Sequence, residues 1–207
     1  GADTVFMQED VREEGGRVIL PAGLKKGANR RLAGEDIAVG TLALAAGLRL
    51  QPQHVSLASA LGLTTLKVRR RLKVAVLSTG DEHVEPGSAL SPGQLHDSNR
   101  VMMAALLRRA GCEVTDIGMY RDEPEALGKA ILAAAKGHDL IISSGGVSTG
   151  EEDYTRRVVE EIGTLVHWRL AIKPGRPVPM AVVDGVPFVG LPGNPVAVFV
   201  TFVNIVR

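Results

Sequence analysis

Residues Asp139 to Asp153 read DLIISSGGVSTGEED, and the fold class follows from this stretch. Leu140, Ile141 and Ile142 make a short apolar run bounded by polar residues, which predicts a buried strand. Two serines then lead into Gly145 and Gly146, a third glycine at Gly150, and the acids Glu151, Glu152 and Asp153, which suit the positive end of a helix. Strand, bare-backbone loop and helix in that order form the repeating unit of a parallel α/β sheet. In such sheets ligands bind beyond the carboxyl ends of the strands. Glycines there, lacking Cβ, let backbone N–H groups point into an open loop and meet an anionic ligand.

The same alternation extends to both sides. Upstream, Lys73 to Leu77 reads as a strand, and Asp97 or Ser98 caps a helix that ends at Gly111. Glu113 to Gly118 is the next strand. Pro124 then takes the first position of a helix running over Glu125 to Lys136, with Gly137 after it. Downstream, Asp153 to Ile162 is a helix stopped by Gly163, and Val166 to Ile172 a strand. Ala181 to Val183 and Phe188 to Val189 flank Asp184-Gly185, a hairpin signal that adds an antiparallel pair to the sheet. Leu191-Pro192-Gly193-Asn194-Pro195 enters a last apolar helix. Asn194 is its N-cap and Pro195 its first residue, leaving N–H groups aimed beyond the sheet edge. The expectation is a three-layer α/β/α domain with a mostly parallel sheet of mixed edge.

Residues 1 to about 66 differ in texture. GRVILP and DIAVGTLALAAGLRL read as short strands with tight corners, separated by the polar segment Asn29 to Asp36. Pro52 to Leu61 reads as a helix closed by Gly62. The basic run Lys67-Val68-Arg69-Arg70-Arg71 reads as a solvated linker, which sets two domains, 1–66 and 67–207. The chain opens on GADTVFMQED and closes inside an apolar run, so both ends read as cut from a longer protein.

Composition narrows the function. Of 207 residues, 45% are hydrophobic and only 3% aromatic, which suits a Val/Ile-rich sheet under Ala/Leu-rich helices and disfavours stacking on single-stranded nucleic acid. A formal charge of +1 gives no electrostatic case for nucleic acid or membrane binding. One cysteine, Cys112, forms no internal disulfide and reads as a buried thiol in a reducing compartment. No leader or spanning segment is recognised, so a cytoplasmic location is expected. The five histidines show no HExxH or other metal-ligand spacing, and no GxSxG, P-loop or GxGxxG occurs.

What remains is a set of segments at strand ends and helix starts. Ser78 to Glu82 (STGDE), Tyr120 to Pro124 (YRDEP) and the Gly-rich loop reach one edge if the sheet is parallel. They bring Asp81, Glu82, Asp122 and Asp153 there. Such carboxylates suit Mg²⁺ held together with a ligand phosphate. Each equally reads as the cap of the helix that follows, and Asp97 is taken as a cap alone. Arg169, Lys173 and Arg176 bring opposite charge; Arg169 and Lys173, four apart, share a face of a regular strand and can hold an oxyanion. Trp168 reads as core.

STGDE, DSNR, RDEP, SSGGVSTGEED, IKPGRP and GLPGNP occur in an order that resembles the molybdopterin molybdenumtransferase family of the MoeA type, which includes the gephyrin E-domain. GADTVFMQED and RRLAGEDI extend the resemblance toward residue 1. The resemblance implies insertion of molybdate into adenylylated molybdopterin with release of AMP, assisted by Mg²⁺. It implies that Glu82, Asp122 and Asp153 handle metal and adenylate, that Lys173 lies at the molybdate region, and that Pro192 and Pro195 shape that pocket. Ser144, Gly145, Gly146, Ser148 and Gly150 would bind substrate, with Arg169 where some members have lysine, and Asp36 of GEDI a further functional acid. It also implies a homodimer in the full-length protein, a possible molybdopterin adenylyltransferase partner, and little activity in this portion alone. Two other readings stand beside it. One is an adenylyltransferase of the MogA type, against which the N-terminal segment and GEDI argue. The other is a gephyrin-like scaffold, for which no peptide groove is recognisable.

Overall fold

The computed structural model describes residues 2–121, 123–146 and 154–207, the Trp168 side chain excepted. Asp122, Ser148, Gly150 and Asp153, and the expectation that Trp168 is core, therefore lie outside the described residues. Two units divide the chain, one ending at Val68 and the other Arg69–Arg207.

In the first unit β1 (Arg12–Glu14) and β2 (Arg17–Ile19) pair antiparallel across Gly15 and Gly16, both at positive φ, and α1 (Pro52–Ala60) follows later. Residues 36–50, expected to hold strands, form turns such as Thr41 N–H to Ala38 O and contain no strand, because no neighbouring segment offers them a ladder. Helix α1 starts on a reciprocal cap, with the Gln51 N–H donating to His54 Nδ1 at 3.0 Å. Of the described residues in this unit only Ala58 is fully buried.

The second unit begins at the basic run. Arg70 makes a two-pronged pair with Asp139, both N···O distances 2.5 Å, and the Lys73 N–H donates to the same carboxylate at 2.8 Å. The run is thus anchored at the amino edge of the sheet, which the linker reading did not foresee. Hydrogen bonds from the Arg70 guanidinium, then from the Lys73 backbone, hold the Asp139 carboxyl well below the ordinary range. A lowered folded-state pKa contributes stability that is present above the unfolded value, about 3.9, and is lost as pH falls toward the folded one. Arg70→Ala is therefore expected to melt below wild type at pH 7, with the gap closing under acid below about pH 4; a Tm series over pH checks it.

From there strands and helices alternate: β3 (Lys73–Thr79), the two-residue pair β4 (His83–Val84) and β5 (Leu95–His96), α2 (Asn99–Ala110), β6 (Glu113–Tyr120), α3 (Pro124–Ala135), β7 (Leu140–Ser144), α4 (Tyr154–Ile162), β8 (Thr164–Arg169), β9 (Pro177–Val183), β10 (Val186–Leu191) and α5 (Pro195–Thr201), which continues as a π-helical turn over Phe202–Val206. The sheet order is β6-β3-β7-β10-β9-β8. Strands β6, β3, β7 and β10 run parallel; β9 is antiparallel to both β10 and β8. The β9–β10 turn is Asp184-Gly185, both at positive φ, as the Asp-Gly signal predicts.

The sheet is covered on both faces. Along β3, Ala75 and Leu77 pack with Leu127 and Ile131 of α3 and Val158 and Val159 of α4. Val74 and Val76 pack on the other side with Met103 and Leu107 of α2 and Val198 of α5. Alternation that is apolar on both faces is the pattern of a strand buried between two helical layers. Helix α2 ends in a Schellman closure: Gly111 is left-handed, its N–H meets Arg108 O and the Cys112 N–H meets Leu107 O, each at 3.0 Å. Cys112 is half-buried, and that burial pushes its thiol up, away from the reactive thiolate.

Candidate functional site at the carboxyl edge

Chain order and sheet order together locate a crevice. From β3 the chain crosses outward to β6 through α2, then back through α3 to β7 on the other flank of β3. Right-handed crossovers in opposite directions put α2 and α3 on opposite faces, so the strands part company beyond β3 and β7. That is the topological switch point, and the residues beyond it are Gly80 and Gly145.

Register brings four segments to this edge. Ser78 is level with Ser144, Ser144 with Leu191, and Thr79 with Tyr120. STGDE, the Tyr120-Arg121 end of β6, the Gly-rich loop and LPGNP therefore leave the sheet side by side, one segment more than expected. Ser144 and Gly145 are buried, as is Pro192, whereas Pro195 and Lys173 are exposed. Glu82 is half exposed, with its carboxylate 3.7 Å from His83 Nδ1. It folds back over Gly80, where a Cβ would lie 2.7 Å from Glu82 Oε2. Asp36 belongs to the first unit, exposed and paired to Arg31 at 2.8 Å.

Two glycines have a different reason from the one expected. The Gly145 N–H donates to Leu191 O at 3.2 Å, so it is not open to a ligand. A Cβ on Gly145 would lie 2.1 Å from Thr79 O, and one on Gly146 within 2.6 Å of the Thr155 and Thr79 hydroxyl oxygens. The pair is glycine because β3 and β7 close to contact where they leave the sheet. The N–H groups of Val196, Ala197 and Val198 at the start of α5 are likewise engaged. Asn194 Oδ1 accepts from Val196 and Ala197, the Val198 N–H meets Asn194 O, and Pro195 has none to give.

The basic side also differs. Strand β8 ends at Arg169 rather than Ile172, so Arg169 and Lys173 do not share a strand face. Leu170 N–H closes on Arg176 O at 2.8 Å, and residues 171–175 bulge out between them with a cis Lys173–Pro174 bond. Gly175, at φ 106°, seats this bulge on α5, where a Cβ would meet Thr201 Cγ2 at 2.4 Å.

Asp97, expected to be a helix cap alone, is 1% exposed and accepts from Ser78 Oγ at 2.5 Å as well as from the Arg100 N–H at 3.2 Å. Three polar residues in succession, Asp97-Ser98-Asn99, exceed what one cap needs, and that was the signal available. Among the described residues no three His, Cys, Asp or Glu side chains gather as a metal site, and no helix is long and apolar enough to cross a membrane.

The fold is a three-layer α/β/α domain, and the strand-end crevice is its candidate site. A family profile described as "Probable molybdopterin binding domain" matches residues 75–207, and one described as "MoeA N-terminal region (domain I and II)" matches residues 1–62. The chain is 43% identical over 208 residues to a molybdopterin molybdenumtransferase of Haemophilus influenzae, covering 100% of this chain and 52% of that protein. It is 40% identical over 211 residues to one from Nostoc sp., covering 100% and 48%. The crystal structure of a molybdopterin biosynthesis MoeA protein from Pyrococcus horikosii superposes with TM-score 0.78 at 36% identity, covering 99% of this chain and 51% of that one. The chain belongs to the molybdopterin molybdenumtransferase family, the MoeA type. It spans about half the length of the curated relatives it matches.

Proposed function

We propose that this chain supplies the pterin-binding wall of an enzyme that inserts molybdate into adenylylated molybdopterin and releases AMP in molybdenum cofactor biosynthesis. The observation that carries the reading is the convergence of four motif-bearing segments at the β3–β7 switch point. A long anionic substrate spanning a crevice of this kind is what the open α/β sheet accommodates.

Residue roles follow from position. Glu82, three residues past the end of β3, is half exposed, with a hard carboxylate donor and no Lys or Arg partner among the described residues, which fits Mg²⁺. Asp122 and Asp153 complete the proposed set with Glu82; bound there, Mg²⁺ would neutralise charge on the substrate phosphates. Ser144 and Gly146, where the chain leaves β7, are assigned to the pterin-adenylate, as are Ser148 and Gly150 by their place in the same motif, with Gly145 setting the path out of β7. Lys173 carries its ammonium on the bulge and attracts molybdate, Arg169 adds a planar cation near the end of β8, and Pro192 and Pro195 give the molybdate pocket a rigid wall. Asp36, in the first unit, is assigned a functional role in the full-length protein by its place in the GEDI motif.

A homodimer of the full-length protein belongs to the same proposal. It is supported by the first unit, where apolar side chains such as Val39 and Leu42 stand exposed and, of the described residues, Ala58 alone is buried. A cytoplasmic location, and hand-over of substrate from a molybdopterin adenylyltransferase, complete the reading. The test supplies the full-length protein with ATP and molybdopterin, and separately with adenylylated molybdopterin and molybdate. Turnover only in the second mixture is expected. Adenylylation in the first would reassign the chain to the adenylyltransferase reaction.

A further inference from the structure

The start of α2 is built more heavily than a helix start requires. Asp97, Asn99 and Arg100 are 1%, 3% and 5% exposed. Asp97 Oδ1 accepts the Arg100 N–H, which is the capping bond, while Oδ2 takes Ser78 Oγ from the end of β3 and Arg100 Nε at 3.1 Å. Arg100 then reaches Asp116 on β6 at 2.9 Å and Glu85, three residues past Glu82, at 2.5 Å. Four charged groups and a serine thus lock this helix start to two strands and to the segment that follows STGDE. With Asp97 and Arg100 buried and each held by several hydrogen bonds, the helix start keeps a fixed geometry.

Asn99 uses that anchor on a third segment. Its Nδ2 donates to Gly193 O at 2.6 Å, across 94 residues of sequence. The orientation is determined by the partner: turned over, the amide would set its oxygen against a carbonyl oxygen. With Nδ2 so engaged, Asn99 Oδ1 is buried with no hydrogen-bond partner among the described residues. A side chain that leaves its acceptor unsatisfied in order to aim its donor serves that donor bond.

The loop at Gly193 needs such a bond. Pro192 and Pro195 have no N–H, so the loop has few means of donating and is held by what it accepts. Leu191 O accepts from the Gly145 N–H at 3.2 Å and Gly193 O accepts from Asn99, while Asn194 is spent on α5. We infer that Asn99 is a positioning residue, fixing the Pro192–Pro195 loop at the carboxyl edge so that its two prolines present one rigid wall. The functional half of this inference rests on the proposed molybdate pocket; the structural half does not.

The experiment uses the full-length protein with Asn99→Asp, which keeps shape but cannot donate, and Asn99→Leu, which keeps size without placing a charge in the interior. Should the first fail to fold, the second carries the comparison. Amide hydrogen exchange over residues 191–198 is expected to rise about tenfold or more in the variants, with residues 74–79 and 140–144 as protected as in wild type. The molybdate KM is expected to rise about tenfold, with kcat and the pterin KM changed less than about threefold, because the loop shapes one subsite and reacts with nothing. Unchanged exchange over 191–198 would overturn the inference, and so would loosened exchange with an intact molybdate KM. A wild-type protein that does not use molybdate would instead overturn the proposed function, leaving the exchange comparison to decide whether Asn99 holds the loop.

Discussion

Gly145→Ala is expected to destabilise the Arg69–Arg207 unit by about 3 kcal/mol, lowering its Tm by roughly 10 °C. The new methyl would sit 2.1 Å from the Thr79 carbonyl oxygen, a backbone atom that cannot turn aside. Holding a non-glycine residue at φ 85° adds about 1–2 kcal/mol. Relief requires β7 to part from β3, which breaks the β3–β7 ladder beneath it. Gly185→Ala is the control. Its φ is 79°, but nothing lies within 4 Å of the added Cβ, so about 1 kcal/mol is expected. Thermal melts of the two variants separate space from conformation. Equal shifts would contradict the close approach of β3 and β7.

Glu82→Gln in the full-length protein is expected to lower molybdate-dependent AMP release by about 10²-fold or more while shifting stability by less than about 0.5 kcal/mol. The two effects separate because the side chain is half exposed and its nearest ring nitrogen, His83 Nδ1, lies 3.7 Å away, too far for a strong hydrogen bond. The isosteric amide keeps the turn over Gly80 but withdraws the negative charge that a divalent cation needs. Raising Mg²⁺ is expected to recover part of the lost rate. Wild-type rates for Glu82→Gln at every Mg²⁺ concentration would remove Glu82 from the site.

Much of the architecture was legible because it is local. The apolar run Leu140 to Ile142, the Asp184-Gly185 turn and the Gly111 closure each carry their reason within a few residues. What escaped depends on partners distant in sequence. Glycine at 145 reads the same whether it admits a ligand or a neighbouring strand, and only Thr79, 66 positions earlier, decides between them. Asp97 looks like any cap until Ser78 is brought beside it. Lys173 was read onto a strand because apolar alternation continues through Ile172. Prolines at 174 and 177 instead force the bulge, and Gly175 docks it on α5. The N–H groups at the start of α5 were expected to await a ligand, but the Asn194 side chain satisfies its own helix first.

Molybdate and the adenylate are proposed to meet at the switch point between β3 and β7. Crystals of the full-length protein soaked with molybdate and AMP, with anomalous data collected at the molybdenum edge, test it most directly. A molybdenum peak is expected beside Lys173 and the Pro192–Pro195 loop, with AMP phosphate on the segment that follows Ser144. Density at the opposite edge, around Arg70 and Lys73, with none at the switch point, would contradict it.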